Sequence, residues 1–263
     1  MPHKDVNGIS MHYEVRGEGT PLLLIHGLGS STQDWEFQVP SFEKHFKVIT
    51  VDLRGHGESS KPKGPYNMEL FARDLSMLLP RLTSHPCHVV GLSMGGAIAF
   101  HLALDHTRLV RSIVVTNMSA AVPIKSFAQK KFYYGRILYT RLFGTRAMGR
   151  KIAKNVLPGP EHEALRKTLI QRWGENPTRP YLDSLKALKD WSVMGRLHQI
   201  ACPALLIHSE HDYTPIGHKK EVAATMKHAT LMTLPGTHHM VPTEAPEDFN
   251  KVVLGFLKGM QPG

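Results

Sequence analysis

Cysteine is scarce: Cys87 and Cys202 are the two in 263 residues, and they stand at no metal-binding or redox spacing. Each is expected to open a buried strand, as a small core residue in a reducing cytoplasm. No apolar run approaches the roughly 18 residues of a membrane span, which excludes a spanning helix. The start, Met1-Pro2-His3-Lys4-Asp5, is polar and has no apolar stretch of signal-peptide length behind it, so the expected location is cytoplasmic. Internal repeats and low-complexity segments are absent. With 41% hydrophobic residues, the chain reads as one ordinary domain, long enough for a large core and one insertion. Acidic residues are missing from 125–154, which hold nine basic ones.

Ile9, Met11, Tyr13 and Val15 alternate with polar residues after Asn7-Gly8, predicting a half-exposed strand entered through a hairpin turn. Apolar runs follow at 21–25, 46–51 and 87–91, with helical patterns near 34–45 and 67–79. Strands at 112–115 and 203–207 continue the series, and a strand near 229–234 and a helix near 245–258 end it. This alternation predicts an α/β fold, a mostly parallel central sheet flanked by helices, with ligands at the carboxyl ends of the strands. Between about 119 and 198 the alternation stops. Only helical segments appear there, broken by Gly135, Gly144, Pro158-Gly159-Pro160 and Pro177. The expected organisation is a core of residues 1–118 and 199–263 with a helical cap, 119–198, inserted above its active edge. The cap holds 16 basic against 5 acidic residues, a net of +11, whereas the remainder holds 16 against 17. The basicity is local.

Gly91-Leu92-Ser93-Met94-Gly95 lies between the β-branched run His88-Val89-Val90 and the small-residue segment Gly96-Ala97-Ile98-Ala99-Phe100. That is strand, sharp turn and helix with a serine at the apex. Glycines on both sides relieve the crowding, and the first helix amides point at whatever the serine attacks. His26-Gly27 follows the apolar run 21–25, and Asp212 and His239 follow the serine in that order. The chain therefore reads as a serine hydrolase with Ser93 as nucleophile, needing a base held by a third group. Of 17 histidines, His238 and His239 follow the last strand at the right edge. Among the carboxylates after the serine, Asp212 lies just past the strand 204–208, and Glu210 is its nearest rival. Asp52, Arg54 and His56 read as braces of the loop after the third strand. Trp35 is a candidate for lining the acyl pocket, with plain core as the alternative. His208, His211, Asp212, His238 and His239 invite a metal reading, but the serine constellation already accounts for this group, so no metal is expected.

These landmarks resemble the α/β-hydrolase fold over about residues 8–118 and 199–258. Asp52-Leu53-Arg54-Gly55-His56-Gly57-Glu58-Ser59 and the ending Gly236-Thr237-His238-His239-Met240-Val241-Pro242-Thr243-Glu244 resemble the group that holds 3-oxoadipate enol-lactonases, small carboxylesterases and cofactor-free haloperoxidases. The resemblance implies that His239, five residues before Glu244, is the base. It also implies that the Leu28 backbone amide joins that of Met94 in an oxyanion hole. One departure is His238, where that group usually has glycine. Asn117 stands where some relatives place the acid, and it cannot carry the charge.

The leading function is cleavage of a carboxylic ester through an acyl-serine intermediate, with no cofactor. Alternatives are an enol-lactone hydrolase, an esterase acting on carrier-protein-bound acyl methyl esters or on membrane lipid esters, and a carbon–carbon bond hydrolase. Outside enzymes, the alternative is a binding protein that retains the fold. In the cap, Tyr134, Leu138 and Leu142 form one apolar stripe, expected to cover the site and touch substrate. Arg146, Arg150 and Lys154 recur at i, i+4 and i+8 as a candidate surface for an acidic carrier protein or an anionic membrane. Nucleic acid is not expected, since no recognised binding motif accompanies the charge.

Overall fold

The computed structural model describes residues 2–259. Strands β1 (His3–Val6) and β2 (Ile9–Arg16) form a hairpin through Asn7-Gly8. Both turn residues have positive φ, 46° and 76°, as a two-residue type I′ turn requires. β2 runs antiparallel to β4 (Lys47–Val51). From there every pairing is parallel, through β3 (Pro21–Ile25), β5 (Cys87–Leu92), β6 (Val110–Thr116), β7 (Ala204–Ser209) and β8 (Ala229–Leu234). The sheet order is β1-β2-β4-β3-β5-β6-β7-β8. Cys87 opens β5 as expected, while Cys202 lies two residues before β7.

The central strands are apolar throughout because both faces are covered. On one face Leu23, Ile25, Val89 and Ile113 pack with α2 (Met68–Leu78) and α3 (Met94–Asp105). On the other, Leu22, Leu24, Val90 and Val114 meet Phe42 of α1 (Val39–Phe42) and Phe249, Val253 and Leu257 of α9 (Pro246–Lys258). α7 (Ile216–Thr225) joins β7 to β8, and the one-turn α8 (Val241–Glu244) precedes α9. The helix expected over 34–45 is instead a 3-10 turn, Thr32–Trp35, followed by α1. Tertiary partners take its backbone groups: Asp52 Oδ1 accepts the Thr32 amide at 2.7 Å, and Arg172 donates to the Gln33 carbonyl at 3.1 Å. Pro40 also lacks the amide a continuous helix would use.

Between β6 and β7 run α4 (Phe127–Val156), α5 (Glu163–Gly174) and α6 (Thr178–Ala187). A capping box starts α4: Ser126 Oγ accepts the Gln129 amide at 3.1 Å while Gln129 Oε1 accepts that of Ser126 at 2.9 Å. At Gly144 the backbone turns to φ 77° and ψ 174°, so α4 is two helices across a kink. Its inward face packs Tyr133 and Met148 against Tyr181, Leu182 and Leu185 of α6. These helices stand over the carboxyl ends of β3, β5, β6 and β7, and the space between is a cavity of about 450 Å³ lined by both layers.

Candidate active site

Ser93 occupies the corner between β5 and α3 with φ 53° and ψ −118°, a left-handed backbone that a serine adopts only under constraint. The constraint is visible in its neighbours. A Cβ on Gly91 would lie 2.3 Å from the Gly95 carbonyl, and one on Gly95 would lie 2.2 Å from the Ile25 oxygen. Only glycine fits either place. The Ser93 amide donates to Thr116 O at 2.9 Å and its carbonyl accepts from Gly96 at 2.8 Å, which fixes the corner. The side chain lies on the cavity wall.

The loop after β3 supplies the opposite wall. His26 Nδ1–H donates to Gly27 O at 2.7 Å, and its Nε2 accepts the Leu53 amide at 3.0 Å, so a neutral imidazole ties this loop to the one after β4. Asn176, between α5 and α6, donates to Gly29 O at 2.7 Å and accepts from Gly57 at 3.3 Å. Among the described residues the amides of Leu28 and Met94 donate to nothing. Asp52 accepts the Thr32 and Glu58 amides and contacts His12, while Arg54 pairs with buried Asp74 at 2.5 and 2.6 Å. Asp52, Arg54 and His56 brace their loop, as their sequence context suggested.

His239 Nδ1–H donates to Asp212 Oδ1 at 2.6 Å, and both side chains are buried. The second Asp212 oxygen accepts from Lys219 at 2.7 Å and from the Thr214 hydroxyl. Burial alone would raise the Asp212 carboxyl, but the His239 contact and the Lys219 ammonium outweigh it and hold it at about 2. Lys219 also donates to His208 Nδ1 at 2.8 Å. Burial and that ammonium pull His208 below its ordinary range, in keeping with a neutral acceptor. His238 faces elsewhere: Glu244 accepts its Nδ1–H and its amide, each at 2.6 Å. Glu210 likewise turns away and accepts the Gly236 amide at 2.7 Å. Asn117 (φ 51°) locks the loop from beneath. Its Nδ2 donates to Ser209 Oγ at 2.8 Å and to His239 O at 3.0 Å, while its Oδ1 accepts the Ser209 amide.

The Tyr213 hydroxyl stands between serine and imidazole. It donates to His239 Nε2 at 3.1 Å and shares the cavity wall with Ser93. Its surroundings push the phenol up to about 12, through burial of the hydroxyl and then the Asp212 charge, so it remains a neutral donor. The ring itself is 60% exposed, in the loop between β7 and α7.

The cap and pocket residues fall differently from expectation. Trp35 is fully buried against Leu22, Leu24 and Phe42 and does not line the cavity; an indole in the core beneath α1 cannot touch substrate. Tyr134, Leu138 and Leu142 are 55 to 65% exposed and line nothing. Tyr133 and Ile137 face inward instead, each one residue before its exposed neighbour, because they pack in the cluster with α6; Thr140 is also buried. Arg146, Arg150 and Lys154 point outward past the Gly144 kink. No helix among the described residues is long and apolar enough to cross a membrane. Sequence reasoning missed Tyr213, Thr214 and Lys219. The first two directly follow Asp212, a usable signal. Lys219 is brought back only by the turn into α7.

Comparison with known proteins agrees with this architecture. A family model described as the alpha/beta hydrolase fold matches residues 20–246. A soluble epoxide hydrolase of Corynebacterium sp. (strain C12) is 32% identical over 139 residues, 49% of each chain. The (E)-2-((N-methylformamido)methylene)succinate hydrolase of Acinetobacter baylyi is 26% identical over 96% of this chain and 95% of its own. The crystal structure of the enol-lactonase from Burkholderia xenovorans LB400 is 26% identical, covers 98% of this chain and all of its own, and superposes with a TM-score of 0.90.

Proposed function

The chain belongs to the α/β-hydrolase family, and from that premise we propose that it is a serine hydrolase cleaving carboxylic esters through an acyl-serine intermediate. One observation carries the reading: Ser93 and His239 line a single cavity, and the 2.6 Å His239–Asp212 bond fixes the imidazole tautomer. Ser93 Oγ attacks the ester carbonyl while its proton passes to His239 Nε2. The oxyanion sits between the Leu28 and Met94 amides. Collapse expels the alcohol, which takes the proton from the imidazolium. Water then repeats the sequence and releases the acid. Direct transfer requires Tyr213 to give up its bond to Nε2, and its exposed ring leaves it room to swing. No cofactor takes part.

A lactone is the same carbonyl chemistry with the leaving alcohol tethered, and the likeness to an enol-lactonase structure makes it the second reading. The serine at the elbow separates this chain from the epoxide-hydrolase and dehalogenase reading, which calls for an aspartate there. p-Nitrophenyl esters of graded chain length test the function. Turnover of short and medium esters is expected, abolished in Ser93→Ala with an unchanged thermal transition. Loss of a triad nucleophile typically costs on the order of a millionfold. Undiminished turnover by the alanine variant rejects the proposal.

The partner reading becomes more specific. Phe127, Phe132, Tyr134, Leu138, Leu142 and Phe143 are all exposed on the first half of α4, among Lys130, Lys131 and Arg141. Protruding aromatics among cations suit an anionic membrane surface better than an acidic carrier protein. Phe132 also lines the cavity, so docking there would bring its mouth to the interface.

A further inference from the structure

Arg136 is a feature of the cavity that ester hydrolysis does not use. It lies on the inward side of α4, half-buried, and lines the cavity that holds Ser93. Its Nε donates to Tyr181 Oη at 2.8 Å, Nη2 donates to the same oxygen, and its guanidinium carbon lies 5.4 Å from the Tyr181 ring centroid. No carboxylate partners it among the described residues. A guanidinium carries five N–H donors, and one phenol oxygen occupies only two of them. The cavity wall that Arg136 helps to line is short of negative charge. Asp34 is the sole carboxyl among the lining residues. Burial raises it, and it accepts a hydrogen bond from Ser30. The other basic lining residue, the ammonium of Lys189, is already paired with Asp190.

The location ties this cation to the reacting centre. Tyr181, which holds Arg136, packs on the oxyanion loop: a Cβ on Gly29 would come within 2.9 Å of its ring. Arg136, Tyr213 and Ser93 all line this one cavity. An anion placed on the guanidinium would therefore share the cavity with the carbonyl that Ser93 attacks. A planar fork with free donors in a mostly apolar cavity is the arrangement that reads a carboxylate bidentately.

We propose that Arg136 is a specificity residue and that the preferred substrate is an ester or lactone bearing a second, free carboxylate, held by this guanidinium while Ser93 attacks. This rests on the serine-hydrolase reading and names its substrate class. A merely structural Arg136, holding Tyr181 in place, would serve charged and neutral substrates alike.

The test compares matched pairs of esters in the full-length protein. One pair places the charge in the acyl group, mono-p-nitrophenyl glutarate against p-nitrophenyl valerate. The other places it in the leaving group, 4-acetoxybenzoate against 4-methylphenyl acetate. The quantity read is the ratio of kcat/KM within a pair. Charge-assisted hydrogen bonds of this kind predict that Arg136→Gln lowers the ratio about 10- to 100-fold in one pair, and that Arg136→Lys retains part of it. An unchanged ratio in both pairs overturns the proposal, whatever happens to absolute rates. Calorimetric binding of monomethyl glutarate and methyl valerate to Ser93→Ala reads the same preference without turnover. Failure of serine chemistry and failure of carboxylate recognition are thereby told apart. A preference for monomethyl glutarate that disappears with Arg136→Gln supports the proposal; equal binding of the two overturns it.

Discussion

His238 and His239 are chain neighbours held by different carboxylates, and this division underlies the proposal that His239 serves Ser93. Glu244 occupies His238 on the far side of the loop, whereas Asp212 orients His239 toward the cavity. His239→Ala is expected to eliminate acyl-enzyme formation with a p-nitrophenyl ester, and His238→Ala to retain most of it; the burst amplitude distinguishes them, and the reverse order would reassign the base. Lys219 sets a second expectation. It is a buried ammonium whose partners are Asp212 and His208, so Lys219→Met leaves a buried carboxylate with one fewer counter-charge, a loss of about 3–5 kcal/mol. The folded Asp212 carboxyl is depressed to about 2, so its contribution to stability is complete above the ordinary carboxylate range near 4. That contribution is lost as pH falls toward 2. Urea unfolding should therefore show the gap between parent and Lys219→Met to be widest near neutrality and to narrow below pH 4. A gap that grows on acidification would contradict the pairing. At this scale the sequence was readable wherever backbone constraint leaves a motif, as at Gly91, Ser93 and Gly95. It was silent on Lys219 and Arg136, whose roles depend on which side chains the fold brings beside them.

The element that separates expectation from structure most is α4. Its helical character was legible from spacing, but its orientation was not. The apolar residues Tyr134, Leu138 and Leu142 recur at four, as an inward stripe would, yet the true inward face runs through Tyr133, Ile137 and Thr140. The phase was hidden because the inward face interrupts its apolar residues with Arg136 and Thr140, while the outward face carries exposed aromatics and leucines. The outward face, rich in aromatics and cations, should bind vesicles that contain anionic phospholipid and release them in salt, with screening over about 10 Å at 0.1 M. Replacing Phe127, Phe132 and Phe143 by serine should abolish cosedimentation. Binding to neutral vesicles alone, or to an acyl carrier protein and not to vesicles, would reject the membrane reading.

For the whole molecule, the parallel sheet gathers five separate sequence segments at one edge. The loop after β3 brings Leu28, the corner after β5 brings Ser93 and Met94, the end of β6 brings Asn117, the loop after β7 brings Asp212 and Tyr213, and the loop after β8 brings His239. Alternation of apolar runs and helices was enough to read this layout, because parallel strands must be covered on both faces and their carboxyl ends must share an edge. The cap's contribution was not readable, since nothing in the spacing of Asn176 or Arg136 announces that they reach the core or the cavity. The central claim is that Ser93 is a nucleophile activated in this frame. Its most direct test is reaction of the intact protein with a fluorophosphonate, followed by peptide mass spectrometry. A single adduct on Ser93 is predicted, absent in Ser93→Ala and strongly slowed in His239→Ala. An adduct on another residue, or labelling that persists in the alanine variant, would contradict it.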